Sequence, residues 1–162
     1  MITGYEVAAV RAAEASLMAT LPPGTLMQRA ATGLATACTD LLGGAYGARI
    51  ALLVGSGDNG GDTLYAGARL ARRGARVDAL LLGDRAHPGG LADLRRAGGR
   101  SWTDLSAFEG VVEAAHLALD GIVGIGGSPG LRADAAGAAA AVADAGVPVV
   151  AVDLPSGIDV DT

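Results

Sequence analysis

Ile50-Ala51-Leu52-Leu53-Val54-Gly55-Ser56-Gly57-Asp58-Asn59-Gly60-Gly61-Asp62 joins an unbroken apolar run to a segment crowded with glycines and carboxylates. Five apolar residues without alternation read as a strand buried on both faces, the environment of a parallel sheet covered by helices. The glycines read as a turn whose backbone takes positive φ and approaches a ligand closely. Residues 64–73 then read as a helix that offers free N–H groups at its start. An anionic nucleotide suits such a turn. Asp58 and Asp62 do not suit a bare pyrophosphate, which they repel; they favour a hydroxyl, an amide or a cation.

Outward from this stretch the pattern repeats. Short apolar runs at residues 50–54, 77–82, 117–119 and 147–152 read as buried parallel strands. Helical patterns at 64–73, 91–97, 108–114 and 133–145 lie between them, and Gly74, Gly98 and Gly146 close three of these in the manner of C-cap glycines. Residues 83–102, Gly-rich and polar, read as surface connection around one short helix. Upstream, Thr3 with Glu6 and Thr25 with Gln28 fit the capping box and predict helices over about 4–18 and 26–42, divided by Leu21-Pro22-Pro23-Gly24. Strands alternating with helices predict a Rossmann-like three-layer α/β/α sandwich with a mostly parallel sheet and right-handed crossovers.

Composition narrows the chemistry. At 162 residues and 51% hydrophobic the chain supports one sizeable core, hence a single domain over 1–162. A net charge of −5 without any basic run argues against nucleic acid or an anionic membrane as partner. All the basic residues are arginine, so a Walker lysine, a Schiff base and a lysine general base drop out. Cys38, alone among Ala and Leu, reads as a small buried hydrophobe. No uncharged apolar stretch reaches bilayer-spanning length, and a cytoplasmic protein is expected.

Three polar segments follow predicted strands: Gly55 to Asp62, Asp120 to Gly130, and Asp153-Leu154-Pro155-Ser156-Gly157. In an open parallel sheet the carboxyl ends of the strands share one edge, where ligands bind. Asp58, Asn59, Asp62, Asp120, Asp153 and Ser156 are therefore expected at one mouth. They form a hard-oxygen set suited to magnesium or a larger monovalent cation. Gly55, Gly57 and Gly60 also satisfy G-x-G-x-x-G, with Asp78 and Asp84 near the spacing of a ribose-binding acid. A NAD-dependent oxidoreductase is the rival that this pattern raises, and Asp58 and Asp62 weigh against it by crowding the pyrophosphate.

Taken in order, Val54 to Asp62, Asp120 to Gly130 and Val152-Asp153-Leu154-Pro155-Ser156-Gly157-Ile158-Asp159, with Leu26-Met27-Gln28-Arg29-Ala30 upstream, closely resemble the NAD(P)HX epimerase family, the YjeF N-terminal domain. The resemblance covers essentially the whole chain. It implies interconversion of the R and S epimers of NADHX and NADPHX in nicotinamide nucleotide repair. It implies one potassium ion (K+) per subunit, bound at Asn59, Asp120 and Ser156. Substrate contacts map to Asp58, Asn59, Gly60, Gly61, Asp62, Gly124, Ile125, Gly126, Gly127, Ser128, Pro129, Gly130 and Asp153. A C-terminal ADP/ATP-dependent dehydratase domain often follows in this family. The chain stops where the family domain usually continues for further strands, which reads as part of a longer bifunctional protein. Asp58 stands where the family commonly has asparagine, and Ile125 where it has threonine. A catalytically silent nucleotide-binding or protein-interaction module of the same fold is the alternative.

In the chemistry so implied, the carbon bearing the hydroxyl is bonded to the ring nitrogen, whose lone pair helps expel the hydroxyl and leaves a carbon open to water on either face. Asp153 is expected to shuttle the proton and steady the developing charge, and Asp62 to hold ribose or ring substituents. His87 and His116 are expected in structural roles. Trp102 is read as a loop anchor and Tyr65 as divided between core and ligand. Arg69, Arg72, Arg73 and Arg76 read as a solvated helix face. The apolar second helix suggests a homodimer formed through the N-terminal helices.

Overall fold

A computed structural model of the chain describes residues 5–127 and 129–158. Helices α1 (Val7–Met18) and α2 (Thr25–Leu42) come first. Then β1 (Arg49–Val54), α3 (Asp58–Arg72), β2 (Arg76–Leu81), α4 (Pro88–Arg96), β3 (Arg100–Trp102), α5 (Leu105–Glu113), β4 (Leu117–Gly121), α6 (Ala133–Asp144) and β5 (Val149–Ala151) alternate. The strands pair in parallel in the order β3-β2-β1-β4-β5. Strand β1 lies at the centre, and its side chains supply two cores: Ile50, Leu52 and Val54 meet α2, α3 and α4, while Ala51 and Leu53 meet α5 and α6. Burial on both faces is why this strand reads as a continuous apolar run. The expected three-layer sandwich is what forms.

Close approach of helix to sheet depends on small residues. A Cβ at Gly67 of α3 would stand 2.5 Å from Leu52 Cδ1, and α6 buries Ala135 and Ala138 against the opposite face. Cys38 is fully buried in α2, and burial pushes its thiol up to about 11. Gly74, Gly98 and Gly146 carry positive φ just beyond α3, α4 and α6, as a C-terminal glycine should.

Several sequence expectations are corrected. Helix α3 begins at Asp58, not Leu64, so Asp58 to Asp62 form its opening turns. Gly55, Gly57, Gly60 and Gly61 are absent from the positive-φ residues. At Gly55, Gly60 and Gly61 the missing side chain serves close packing instead. A Cβ at Gly60 would run into the Gly55 carbonyl, and one at Gly55 into the Ile122 carbonyl. Tertiary packing thus overrides the low helix propensity of the glycine pair. Thr25 does not cap α2: its hydroxyl donates to the Pro22 carbonyl, the N-cap is Gly24, and Gln28 Oε1 accepts from Arg69. Thr3, of the other capping box, lies outside the described residues.

Residues 83–102 contain a strand that the sequence reading missed. β3 is short and lacks an apolar run, and it is recruited by Asp78, which is 3% exposed on β2. Asp78 Oδ1 accepts from Arg100 Nε at 2.6 Å and from Trp102 Nε1 at 2.9 Å. Burial alone would push this carboxyl up. Those hydrogen bonds, with the charges of Arg100 and Arg76, hold it below the usual carboxylate value. Asp78 is therefore committed to the sheet and is no ribose-binding acid, and Trp102 packs edge-on to Phe108 within the second core.

Of the arginines expected on a solvated face, Arg72, Arg73 and Arg76 are exposed and Arg69 is half-buried, but those on and just after α3 also have partners on neighbouring helices. Arg69 donates to Gln28 and Thr32, Arg73 to Thr39 and the Ala35 carbonyl, and Arg72 to Asp93, so they pin α3 to α2 and α4. His87 and His116 are structural as expected. His87 Nδ1 accepts from Gly90 N at the start of α4, and His116 Nδ1 accepts from Arg49 N.

Candidate active site

From β1 the chain continues through α3 to β2 on one side, while the strand on the other side is β4, reached later. The two loops therefore part at the carboxyl ends of β1 and β4 and leave a crevice between them. A cleft of about 620 Å³ occupies it. Its walls are Ser56 to Asn59 and Asp62, Ile122 to Gly127, Ala151 to Asp153, Ala30 and Leu34 of α2, and Arg11 and Glu14 of α1.

The strand exits are fastened to one another by hydrogen bonds. Asp120, at the end of β4, accepts from Ser156 at both oxygens, at 2.6 Å from the hydroxyl and 2.8 Å from the backbone N–H. The Val123 N–H donates to Ser156 Oγ at 3.0 Å. Asp153 Oδ2 accepts from the Ile125 N–H at 2.7 Å. Asp153 is the non-glycine residue with positive φ (72°) among those described, a left-handed conformation that costs of order 1 kcal/mol and that aspartate tolerates better than most. At Gly124 a Cβ would lie 2.5 Å from Asp153 Oδ2 and 3.1 Å from Asn59 Oδ1, so glycine leaves room for both side chains beside the loop.

Asp62 is the electrostatic outlier. Burial, then the charges of Asp58, Asp153 and Glu14, push its carboxyl up to about 7. Its Oδ1 is buried without a partner, as is Nδ2 of Asn59 one turn earlier. Buried polar atoms without partners are uncommon and mark places where a ligand or solvent completes the hydrogen bonding. A carboxyl that exchanges its proton near neutrality, beside a second carboxylate, is an acid–base arrangement.

The expected site residues divide accordingly. Asp58, Asn59, Asp62, Gly124, Ile125, Gly126, Gly127 and Asp153 line the cleft. Gly60 and Gly61 are buried behind it, and a Cβ at Gly61 would meet Met27 and His87 instead. Pro129 and Gly130 are exposed, with the Gly130 N–H donating to the Gly157 carbonyl. Ser128 and Asp159 lie outside the described residues. Asp120 and Ser156 are brought together beneath the loop, while Asn59 faces Gly124 from α3. Tyr65 packs edge-on against His87, away from the cleft. Arg11 and Glu14 were missed as site residues. Their spacing puts both on one face of α1, but nothing local in the sequence says against what that face lies. Among the described residues no group of three or more His, Cys, Asp or Glu could hold a metal ion, and no helix is long and apolar enough to cross a membrane.

Comparison with known proteins gives a consistent picture. Residues 23–162 match the family described as YjeF-related protein N-terminus. The chain is 55% identical over 163 residues to a bifunctional NAD(P)H-hydrate repair enzyme of Mycobacterium leprae, an overlap of 98% of this chain and 33% of that protein. It is 39% identical over 169 residues to an NAD(P)H-hydrate epimerase of Clavibacter michiganensis, with 98% and 71% covered. The fold is similar to the crystal structure of yeast YNL200c, with a TM-score of 0.86, 19% identity, and 96% of this chain and 72% of that chain covered. The chain spans about a third of the length of the bifunctional relatives.

Proposed function

The chain belongs to the family of YjeF-related N-terminal domains, and we propose that it acts as an NAD(P)H-hydrate epimerase, interconverting the R and S forms of NADHX and NADPHX. The observation that carries this reading is the pair of unlike carboxyls in the cleft: Asp62, pushed up to about 7, and Asp153, which accepts a backbone N–H. In the reaction, the C–O bond to the hydroxyl breaks as the ring-nitrogen lone pair forms a C=N bond. The departing hydroxyl takes a proton and leaves as water. Water then adds to the opposite face and returns a proton to the protein. Asp62 supplies and recovers that proton, while Asp153 steadies the positive charge on the ring between the two steps. This divides between two residues the work that the sequence reading gave to Asp153 alone.

A potassium ion is part of the proposal. Asp120, Ser156 and Asn59 offer a carboxylate, a hydroxyl and an amide oxygen, hard donors with a single formal negative charge, which suits a monovalent cation better than a divalent one. Asn59 would offer the ion its Oδ1, which faces Gly124, while its buried, unpartnered Nδ2 is a donor left for a substrate oxygen. When bound, the ion would fix the loops and orient substrate oxygens. Cytoplasmic placement, a homodimer covering the exposed apolar residues Tyr5, Leu17, Met18 and Leu41, and a following ADP/ATP-dependent dehydratase domain belong to the same reading. The NAD-dependent oxidoreductase is disfavoured by the loss of Asp78 as a ribose acid. The decisive experiment mixes purified chain with S-NADHX in potassium buffer and follows R-NADHX by chromatography. Acceleration over the spontaneous rate supports the reading, and none refutes it.

A further inference from the structure

The cleft is lined by four acidic side chains, Asp58, Asp62, Asp153 and Glu14, and by a single cationic one, Arg11. A dinucleotide brings a diphosphate to this acidic surface, and like charges in a partly enclosed cleft repel. The phosphates are therefore best received at the one cationic side chain of the lining. Arg11 marks that place. Its Nη2 donates to the Ile125 carbonyl at 3.3 Å and stands 3.5 Å from where a Cβ of Gly126 would be, so the guanidinium sits directly over the side-chain-free turn of the glycine loop. That hydrogen bond uses one of five N–H donors, and no ion pair forms with Arg11 among the described residues. Helix α1, which carries it, buries none of its residues. Burial therefore does not explain the position of the guanidinium.

We propose that Arg11 is a phosphate-binding residue, which at the Gly126 end of the glycine loop receives the diphosphate of a nicotinamide dinucleotide. The inference rests on the dinucleotide reading of the ligand. It adds a binding residue, and a contribution from the N-terminal helix, to the segments at the strand exits. The guanidinium fork matches phosphate geometry, and a charge-assisted contact to it is among the stronger hydrogen bonds. It also orients the ligand: with the phosphates at α1, the nicotinamide end is left facing Asp62 and Asp153.

The test is a binding measurement, independent of turnover. Calorimetric titration compares NADH with reduced nicotinamide riboside, which lacks both phosphates, on wild type, Arg11→Gln and Arg11→Lys. Arg11→Gln is expected to weaken NADH by about tenfold or more while leaving the riboside unchanged, with Arg11→Lys in between. The salt dependence of NADH binding should be shallower in Arg11→Gln than in wild type. Equal weakening of both ligands, no weakening of NADH, or failure of the wild type to bind NADH would each overturn the proposal. Epimerisation by the wild type is assayed in parallel. An inactive chain that still discriminates NADH from the riboside through Arg11 removes the epimerase reading and leaves the phosphate site standing.

Discussion

Arg11 and Asp153 hold opposite ends of the same residue: the Ile125 N–H donates to Asp153 Oδ2 at 2.7 Å, and the Ile125 carbonyl accepts from Arg11 Nη2 at 3.3 Å. Residues far apart in the chain, one on the first helix and one after the last described strand, thus fasten a single loop between them. Ile125 binds both through its backbone, for which its side chain is immaterial.

Replacing Asp153 by asparagine should lower epimerisation by about 100-fold, because a side chain of the same shape loses the charge that steadies the ring cation. Asparagine also tolerates the positive φ at this position, so the melting temperature should stay within about 2 °C of wild type. Steady-state rates with a thermal melt check both halves.

Asp62 gives a pH prediction whose sign is fixed. A folded-state carboxyl raised to about 7 binds its proton more tightly than in the unfolded chain. Its contribution to stability is therefore fully present below about pH 4 and is lost as the pH rises toward 7 and above. Asp62→Asn, which cannot ionise, should melt about 2–4 °C higher than wild type at pH 8 and equal to it at pH 4. The same substitution should remove the inflection near pH 7 from the epimerisation profile.

If potassium is held at Asn59, Asp120 and Ser156, then Asn59→Ala should abolish the difference between rates measured in potassium and in lithium chloride. An undiminished response to the cation would remove Asn59 from the ligand set. Asp120→Asn is expected to affect rate and fold together, since both carboxylate oxygens bind Ser156.

Gly60→Ala should destabilise by about 1–3 kcal/mol although alanine is the better helix former, because the added Cβ meets the Gly55 carbonyl, a backbone group with no rotamer to change. Chemical denaturation measures this directly.

The sandwich and its ligand edge were legible because apolar runs and C-cap glycines are local signals; Ile50 to Val54 needs no context to be read as a central strand. What escaped was set by distant partners. β3 exists because Asp78 recruits Arg100 and Trp102 across strands, and the partners that Arg69 and Arg72 find on α2 and α4 lie far away in the chain. The start of α3 was misplaced because glycine usually signals a turn. Here Gly60 is demanded by the Gly55 carbonyl earlier in the same stretch, and Gly55 in turn by the Ile122 carbonyl of another segment. In the site, the carboxylates could be named from strand exits alone. The burial that sets Asp62 apart from Asp153, and the arrival of Arg11 from α1, depend on packing that no spacing encodes.

The buried thiol of Cys38 gives the molecule an internal stopwatch. Fully buried and pushed up to about 11, it is inert to alkylation until α2 lifts from α3. The rate at which a thiol reagent captures it in native buffer then reports how often that interface opens, a local stability that global melting averages away. Because the start of α3 carries Asn59 and Asp62, slowed capture in the presence of a nucleotide would register ligand binding as a delay in a single chemical event.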